Sequence, residues 1–386
     1  MIVGIPQETF PGETRVALIP ASIPALAKAG VEVRVQSGAG QAAGFPDSLY
    51  VEKGGKIVPS RDEVFAADVI LQVRAAGANP QAGKADLAKL SAGKIVVGLC
   101  DPLGQPQANQ EFAASGATLF GLELLPRITR AQAMDVLSSQ ATIAGYRAVL
   151  LAAMELPKIF PMLITAAGTL SSAKVFIVGA GVAGLQAIAT ARRLGAAVSG
   201  YDVRPAAKEQ ITSLGGKVVE MPLDTSAAEG KGGYAQAMDE ASNKKQQEFM
   251  VKPVAGSDVV ITTAAVPGQK SPVLVTRQAV EGMVPGSVIV DLAAERGGNC
   301  ELTQAGQRVV HNGVTVLGPL NLPAEVPQHA SLMYAKNIST FLLNLVKDKQ
   351  VQINLEDEII RDTLIARDGQ IVHARLQPTP ASLPGR

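Results

Sequence analysis

The residues best suited to chemistry lie near the middle of the chain. Gly179-Ala180-Gly181-Val182-Ala183-Gly184 follows the apolar run Val175–Val178 and precedes the helical pattern Leu185–Leu194. Glycines at this spacing can make a tight turn, let backbone approach a pyrophosphate, and pack a helix close to a strand. A helix starting there presents free N–H groups and partial positive charge to phosphate. A second apolar run, Ala197–Tyr201, leads to Asp202, 21 residues after Gly181. A carboxylate at that place accepts hydrogen bonds from ribose hydroxyls and repels a 2′-phosphate, which favours NAD over NADP. Val203 and Arg204 complete the segment, and the charge of Arg204 opposes that preference. The glycine spacing alone is a weak signal. The order strand, glycines, helix, strand, acid raises it above a plain Gly-rich turn.

Two further turns belong at the ends of strands in the same region. Thr262-Thr263-Ala264-Ala265-Val266-Pro267-Gly268 follows Val259–Ile261, and Asp291–Gly298 follows Ser287–Val290. Each reads either as a Gly-rich connection or as a wall of the nucleotide crevice, and Ala264, Ala265 and Val266 are the cofactor candidates. A polar cluster, Arg127, Ile128, Thr129, Gln132, Asp135 and Ser138, opens a long helical stretch. With a helix beginning near Thr129, Gln132, Asp135 and Ser138 share a face at i, i+3, i+6. That face is either solvated behind a Thr129 N-cap or lines a cleft between domains. The run Asp224–Gly233 is polar and long for a compact domain and leads to Tyr234. A loop of that kind reads as a lid, with Gly233 and Tyr234 at its end.

These residues need a scaffold, and 386 residues suggest two domains. Five short apolar runs alternate with helical patterns before residue 125: Ile2–Ile5, Val31–Gln36, Val69–Val73, Ile95–Leu99 and Thr118–Leu122. A second alternating region runs from Lys174 to about Gly318. Alternation of this type predicts an α/β protein with two Rossmann-like, doubly wound parallel-sheet domains joined by long helices, with a cleft between them. The joining helices are expected over about Gln132–Phe160 and Gln328–Lys347. The second returns the chain, so residues 1–135 plus 328–386 form an N-terminal domain. Residues 136–327 form the NAD(H)-binding domain.

Composition narrows the function classes. Lys plus Arg (35) nearly balances Asp plus Glu (34), which gives no electrostatic footprint for nucleic acid. Two cysteines, Cys100 and Cys300, make no disulfide framework and fit a reducing compartment. The most apolar long window, Ala144–Leu170, is broken by Arg147, Glu155, Pro157, Lys158 and Pro161, so no membrane span is expected. The first residues lack the basic and apolar regions of a signal peptide.

Along nearly its whole length the sequence resembles the NAD(H)-binding component of the proton-translocating nicotinamide nucleotide transhydrogenases, within the wider group that includes alanine dehydrogenase. The segments carrying the resemblance are Pro6–Pro20, Leu125–Arg147, Gly179–Ala191, Asp202–Gly216 and Gly297-Gly298-Asn299-Cys300. The resemblance implies that Arg127, Gln132, Asp135 and Ser138 contact the nicotinamide end of the cofactor, with Gln132 aligning the ring. It implies that Asp202 binds the adenosine ribose and that Tyr234 sits on a mobile loop closing over the nucleotide. It further implies a homodimer on the cytoplasmic side of a membrane, working with a membrane-embedded proton-translocating subunit and with an NADP(H)-binding subunit or domain. In that arrangement hydride passes directly between the two nicotinamides, and the protein orients them and excludes water. With no span before Arg386, the membrane component is expected in a separate subunit.

Two other readings compete. An alanine dehydrogenase moves protons at its substrate. By the same resemblance it uses a Lys after the strand matching Val69–Val73 and a His after the one matching Ile95–Leu99. Those places read Gln72-Val73-Arg74-Ala75 and Gly98-Leu99-Cys100-Asp101. Arg74 binds carboxylates but cannot act as a base, so the first domain is expected to be a scaffold. A non-catalytic NAD sensor would need the glycine loop and Asp202 but not the cluster around Gln132.

Overall fold

The computed structural model describes residues 1–221, 240–265 and 268–377. The chain divides into two compact units, Met1–Gln140 with Ala324–Arg386, and Ala141–Pro323. The sequence expectation put the divisions at 135/136 and 327/328.

The first unit begins with six strands: β1 (Ile2–Ile5), β2 (Glu32–Gln36), β3 (Lys56–Val58), β4 (Val69–Arg74), β5 (Ile95–Leu99) and β6 (Thr118–Gly121). They pair in parallel in the order β3-β2-β1-β4-β5-β6. Their near-continuous apolar runs suit a sheet buried on both faces. Val69, Leu71 and Val73 enter one core, and Ile70 enters the other.

In the second unit an exposed hairpin, β7 (Leu163–Thr165) and β8 (Gly168–Leu170), precedes the sheet. The sheet comprises β9 (Lys174–Val178), β10 (Ala197–Tyr201), β11 (Lys217–Val218), β12 (Val259–Thr262), β13 (Val288–Asp291), β14 (Arg308–His311) and β15 (Val314–Leu317). The order is β11-β10-β9-β12-β13-β15-β14. Val175 and Ile177 face one core, and Phe176 and Val178 face the other. Helix Val182–Arg193 supplies Ala187, Ile188 and Ala191 to the first core. Helix Glu240–Ala255 supplies Met250 and Val254 to the second.

The chain then re-enters the first unit through helix Pro327–Leu345, whose Tyr334, Ile338, Phe341 and Leu345 are fully buried. A small hairpin, β16 (Val346–Lys347) and β17 (Gln350–Val351), precedes β18 (Leu364–Arg367) and β19 (Gln370–Ile371). β18 pairs with β6, so the C-terminal segment extends the first sheet.

Two details differ from the sequence reading. The sheets are not wholly parallel, because β14, β18 and β19 each pair antiparallel with a neighbour. Two-residue turns, Asn312-Gly313 and Asp368-Gly369, close two of these hairpins with positive φ at both residues. The long helix does not run from Gln132 to Phe160. A 3-10 segment, Thr129–Met134, ends at Asp135 in an extended conformation, and the α-helix spans Val136–Glu155. It stops before Pro157, whose ring disfavours helix in the residue ahead of it. Among the described residues no helix is long and apolar enough to cross a membrane.

Candidate functional site

In the second sheet the chain builds outward from β9 to β10 and β11, then crosses to β12 on the other side of β9. Loops leaving the carboxyl ends of β9 and β12 therefore diverge, and such a switch point opens a crevice. The glycine loop sits there, and its three glycines answer to different constraints. Gly179 has φ +95°, and a Cβ on it would lie 2.7 Å from Thr263 Oγ1. A Cβ on Gly184 would lie 1.8 Å from the Gly179 carbonyl oxygen, so helix and loop touch backbone to backbone. Gly181 is different: its φ is −73°, and a Cβ there meets nothing within 4 Å. The helix Val182–Arg193 starts at this exposed residue, with Leu185 N donating to Gly181 O at 2.8 Å. The earlier amides, of Val182, Ala183 and Gly184, lie ahead of that first intrahelical bond.

Asp202 follows the last residue of β10, beside this loop. Its Oδ2 accepts from Ala180 N at 2.7 Å, which ties the two strand ends together. Arg204 supplies the other donors. Its backbone N and Nε reach Asp202 Oδ1 at 2.8 and 2.9 Å, and Nη2 reaches Oδ2 at 2.9 Å. The same Nη2 donates to Ala180 O at 3.1 Å. Val203 between them packs against the second core of the unit.

The loops after β12 and β13 are locked to each other. Thr263 Oγ1 donates to Gly179 O at 3.0 Å, stapling β12 to the glycine loop. Ala264 is gripped through its backbone: its N donates to Asn299 Oδ1 at 2.9 Å, and Asn299 Nδ2 donates to Ala264 O at 2.8 Å. Asn299 is held in turn by Asp291, a fully buried carboxylate. Asp291 accepts from Asn299 N (2.7 Å), Cys300 N (3.0 Å), Thr303 Oγ1 (2.7 Å), Thr262 Oγ1 (2.9 Å) and Ala293 N (3.0 Å). Ala265 is exposed. Sequence reasoning did not single out Asp291 or Asn299 individually. The available signal was an acid at a strand end followed by Gly-Gly-Asn.

The polar cluster Arg127–Ser138 lies in the first unit. Arg127, Thr129 and Gln132 are exposed, Ile128 is half-buried against the core, and the Gln132 side chain makes no hydrogen bond among the described residues. The expected shared helical face does not form. Asp135 breaks from the 3-10 segment and caps the next helix, accepting from Ser138 N at 2.9 Å and from Ser138 Oγ at 2.5 Å. Thr129 is not an N-cap; Ile128 holds that position without a side-chain bond. Gly233, Tyr234, Val266, Pro267 and the whole Asp224–Gly233 run lie outside the described residues.

Residues 4–144 match the family described as alanine dehydrogenase/PNT, N-terminal domain, and residues 148–374 match alanine dehydrogenase/PNT, C-terminal domain. The chain belongs to the alanine dehydrogenase/PNT family. Within that family it is 43% identical over 380 residues to an NAD(P) transhydrogenase subunit alpha of Rhodospirillum rubrum, covering 97% of this chain and 99% of that one. The Rickettsia prowazekii protein of the same name is 44% identical over 368 residues, covering 95% of each chain. The crystal structure of a transhydrogenase from Sinorhizobium meliloti superposes with a TM-score of 0.85 at 44% identity, covering 96% of this chain and 100% of that one.

In this alanine dehydrogenase/PNT chain the first unit has its own switch point, between β1 and β4, and charged side chains fill it. Glu8 accepts from Val73 N at 2.6 Å and Arg74 N at 3.2 Å. Burial, reinforced by the neighbouring Glu13 charge, pushes the Glu8 carboxyl up to about 8. Glu13 is paired with Arg15, whose Nε and Nη2 lie at 2.7 and 2.6 Å, and with Arg74 Nε at 3.2 Å. The Arg74 guanidinium also stacks 4.1 Å from the Phe10 ring centroid. Thus Arg74, the last residue of β4, binds a carboxylate of the chain itself. After β5, burial pushes the Cys100 thiol up, so it stays protonated and is not available as a base. Glu123 Oε1 accepts from Cys100 N at 2.7 Å, while its buried Oε2 has no partner among the described residues. Burial raises that carboxyl to about 7. None of these groups was recognised as a cluster in the sequence, although Glu8, Glu13 and Arg15 all lie within Pro6–Pro20.

Proposed function

We propose that this chain is the NAD(H)-binding component of a proton-translocating NAD(P) transhydrogenase. The observation carrying this reading is Gly181 beside Asp202. Nothing among the described residues requires glycine at 181, whereas close approach of a pyrophosphate does. The donor set fits a dinucleotide. The amides of the Gly179–Gly184 loop would hold the pyrophosphate. Asp202, with Val203 and Arg204 adjoining, would take the adenosine ribose. Ala264, Ala265 and Val266 would flank the crevice, with Asn299 fixing the first of them.

The resemblance assigns Arg127, Ile128, Thr129, Gln132, Asp135 and Ser138 to the nicotinamide end, and Gly233 and Tyr234 to a closing loop. An unbonded Gln132 amide is available to a carboxamide, and Asp135 holds Ser138 in place. When bound, NADH supplies the hydride that passes to NADP+ on a partner component. The residues of this chain orient the ring and exclude water. A homodimer, an NADP(H)-binding subunit and a membrane-embedded proton-translocating subunit complete the proposed assembly, on the cytoplasmic side of the membrane. An alanine dehydrogenase activity gains no support from the filled crevice around Glu13.

The test mixes this chain with an NADP(H)-binding component and follows reduction of the 3-acetylpyridine analogue of NAD by NADPH. Fast transfer that needs both proteins is the expected result. Q132N should slow transfer at least about tenfold while NADH binding changes little. Absence of transfer despite NADH binding would favour a nucleotide sensor, and transfer unimpaired in Q132N would take Gln132 out of the hydride-transfer site.

A further inference from the structure

We infer that Arg204 is a built-in competitor for the adenosine ribose, occupying on Asp202 the two acceptor positions that a ribose diol would use. The inference rests on the NAD(H)-binding reading above and assigns a role to one more residue of that site.

A carboxylate has about four lone-pair positions, and all four on Asp202 are engaged. Two donors are backbone amides, Ala180 N on Oδ2 and Arg204 N on Oδ1, fixed by the glycine loop and by the turn after β10. The other two are Arg204 Nε on Oδ1 and Nη2 on Oδ2, at 2.9 Å each. These two belong to a side chain and can leave without unfolding the turn. A vicinal diol also offers two O–H donors, one to each carboxylate oxygen. Ribose and guanidinium therefore cannot be bound by Asp202 together, and nucleotide binding must displace the guanidinium. The pair is only partly exposed, with side-chain accessibilities of 17% for Arg204 and 7% for Asp202, so water screens it incompletely. Breaking it takes free energy from nucleotide binding, which lowers affinity.

The test compares the full-length wild type with R204M and R204K by titrating NADH fluorescence, with AMP and reduced nicotinamide mononucleotide as competing ligands. R204M is expected to bind NADH and AMP about fivefold more tightly. Reduced nicotinamide mononucleotide, which lacks the adenosine ribose, should bind both proteins equally. R204K, which keeps the charge but loses the fork, should fall between, and it carries the comparison if R204M does not fold. NADH affinity in the variants equal to or below that of wild type overturns the inference, with the functional reading intact. So does an equal gain for all three ligands. A wild type that does not bind NADH overturns the functional reading and this inference together.

Discussion

Gly181 and Gly184 are three positions apart and carry opposite obligations. At 184 the chain's own backbone forbids a side chain, because a Cβ would sit 1.8 Å from Gly179 O. At 181 the backbone is ordinary and the space beside it is open. Alanine at the two sites should therefore separate folding from binding. G184A should lose about 1–3 kcal/mol of stability or more, since loop and helix must move apart. G181A should stay within about 0.5 kcal/mol of wild type yet bind NADH at least about tenfold more weakly. Thermal melts and NADH titrations on the two variants decide this. A G181A protein that binds NADH normally would remove the main support for the nucleotide site.

At the scale of elements, the site depends on how the ends of β12 and β13 are fastened. Asn299 makes both backbone hydrogen bonds of Ala264, and Asp291 holds Asn299 with its neighbours. N299A would leave Ala264 N and O without these partners, at about 1–3 kcal/mol. It should also weaken NADH binding through the loosened Ala264 turn. Urea denaturation with parallel binding curves checks both, and an N299A protein of wild-type stability would contradict the fastening role. Most of these elements are legible in the sequence. Strands such as Val175–Val178 and Val259–Thr262 are buried on both faces, so their unbroken apolar runs mark them. The antiparallel edges are less apparent, because β14 is exposed on alternate residues and resembles loop. The Asn312-Gly313 and Asp368-Gly369 turns nonetheless carried a hairpin signal. The face predicted for Gln132, Asp135 and Ser138 failed because spacing assumes a continuous helix. Asp135 instead interrupts it, as a short polar side chain that bonds backbone amides readily does. Strand order is not written in any single strand, since it depends on which edges meet.

Taken as a whole molecule, the chain contains the strand order of one plan twice. β3-β2-β1-β4-β5-β6 in the first unit matches β11-β10-β9-β12-β13-β15 in the second. The two switch points have diverged in chemistry. One carries open backbone amides and an acid at a strand end, and the other is filled with internal ion pairs. The filled one leaves a mark on stability. Glu8 and Glu123 have carboxyls raised to about 8 and about 7 from 4.5, so the folded chain holds these protons more tightly than the unfolded chain. Their contribution is full below about 4.5 and is lost as pH rises through 7 to 8. Urea midpoints should accordingly fall between pH 6 and pH 9. E123Q keeps an acceptor for Cys100 N and cannot ionise, so its midpoint should fall less over that range. An E123Q profile parallel to wild type would show that Glu123 is not one of the groups responsible.

The return of the chain into its first unit also sets an order in time. The second sheet has every strand once Leu317 has been made. The first sheet, although begun at Ile2, lacks its β18 and β19 edge until residue 371 has emerged, and its core lacks Tyr334, Phe341 and Leu345 until the helix bearing them exists. On a ribosome the unit started first is therefore the unit completed last. Through that interval the newborn β6 edge must stay unpaired without finding a neighbour's strand.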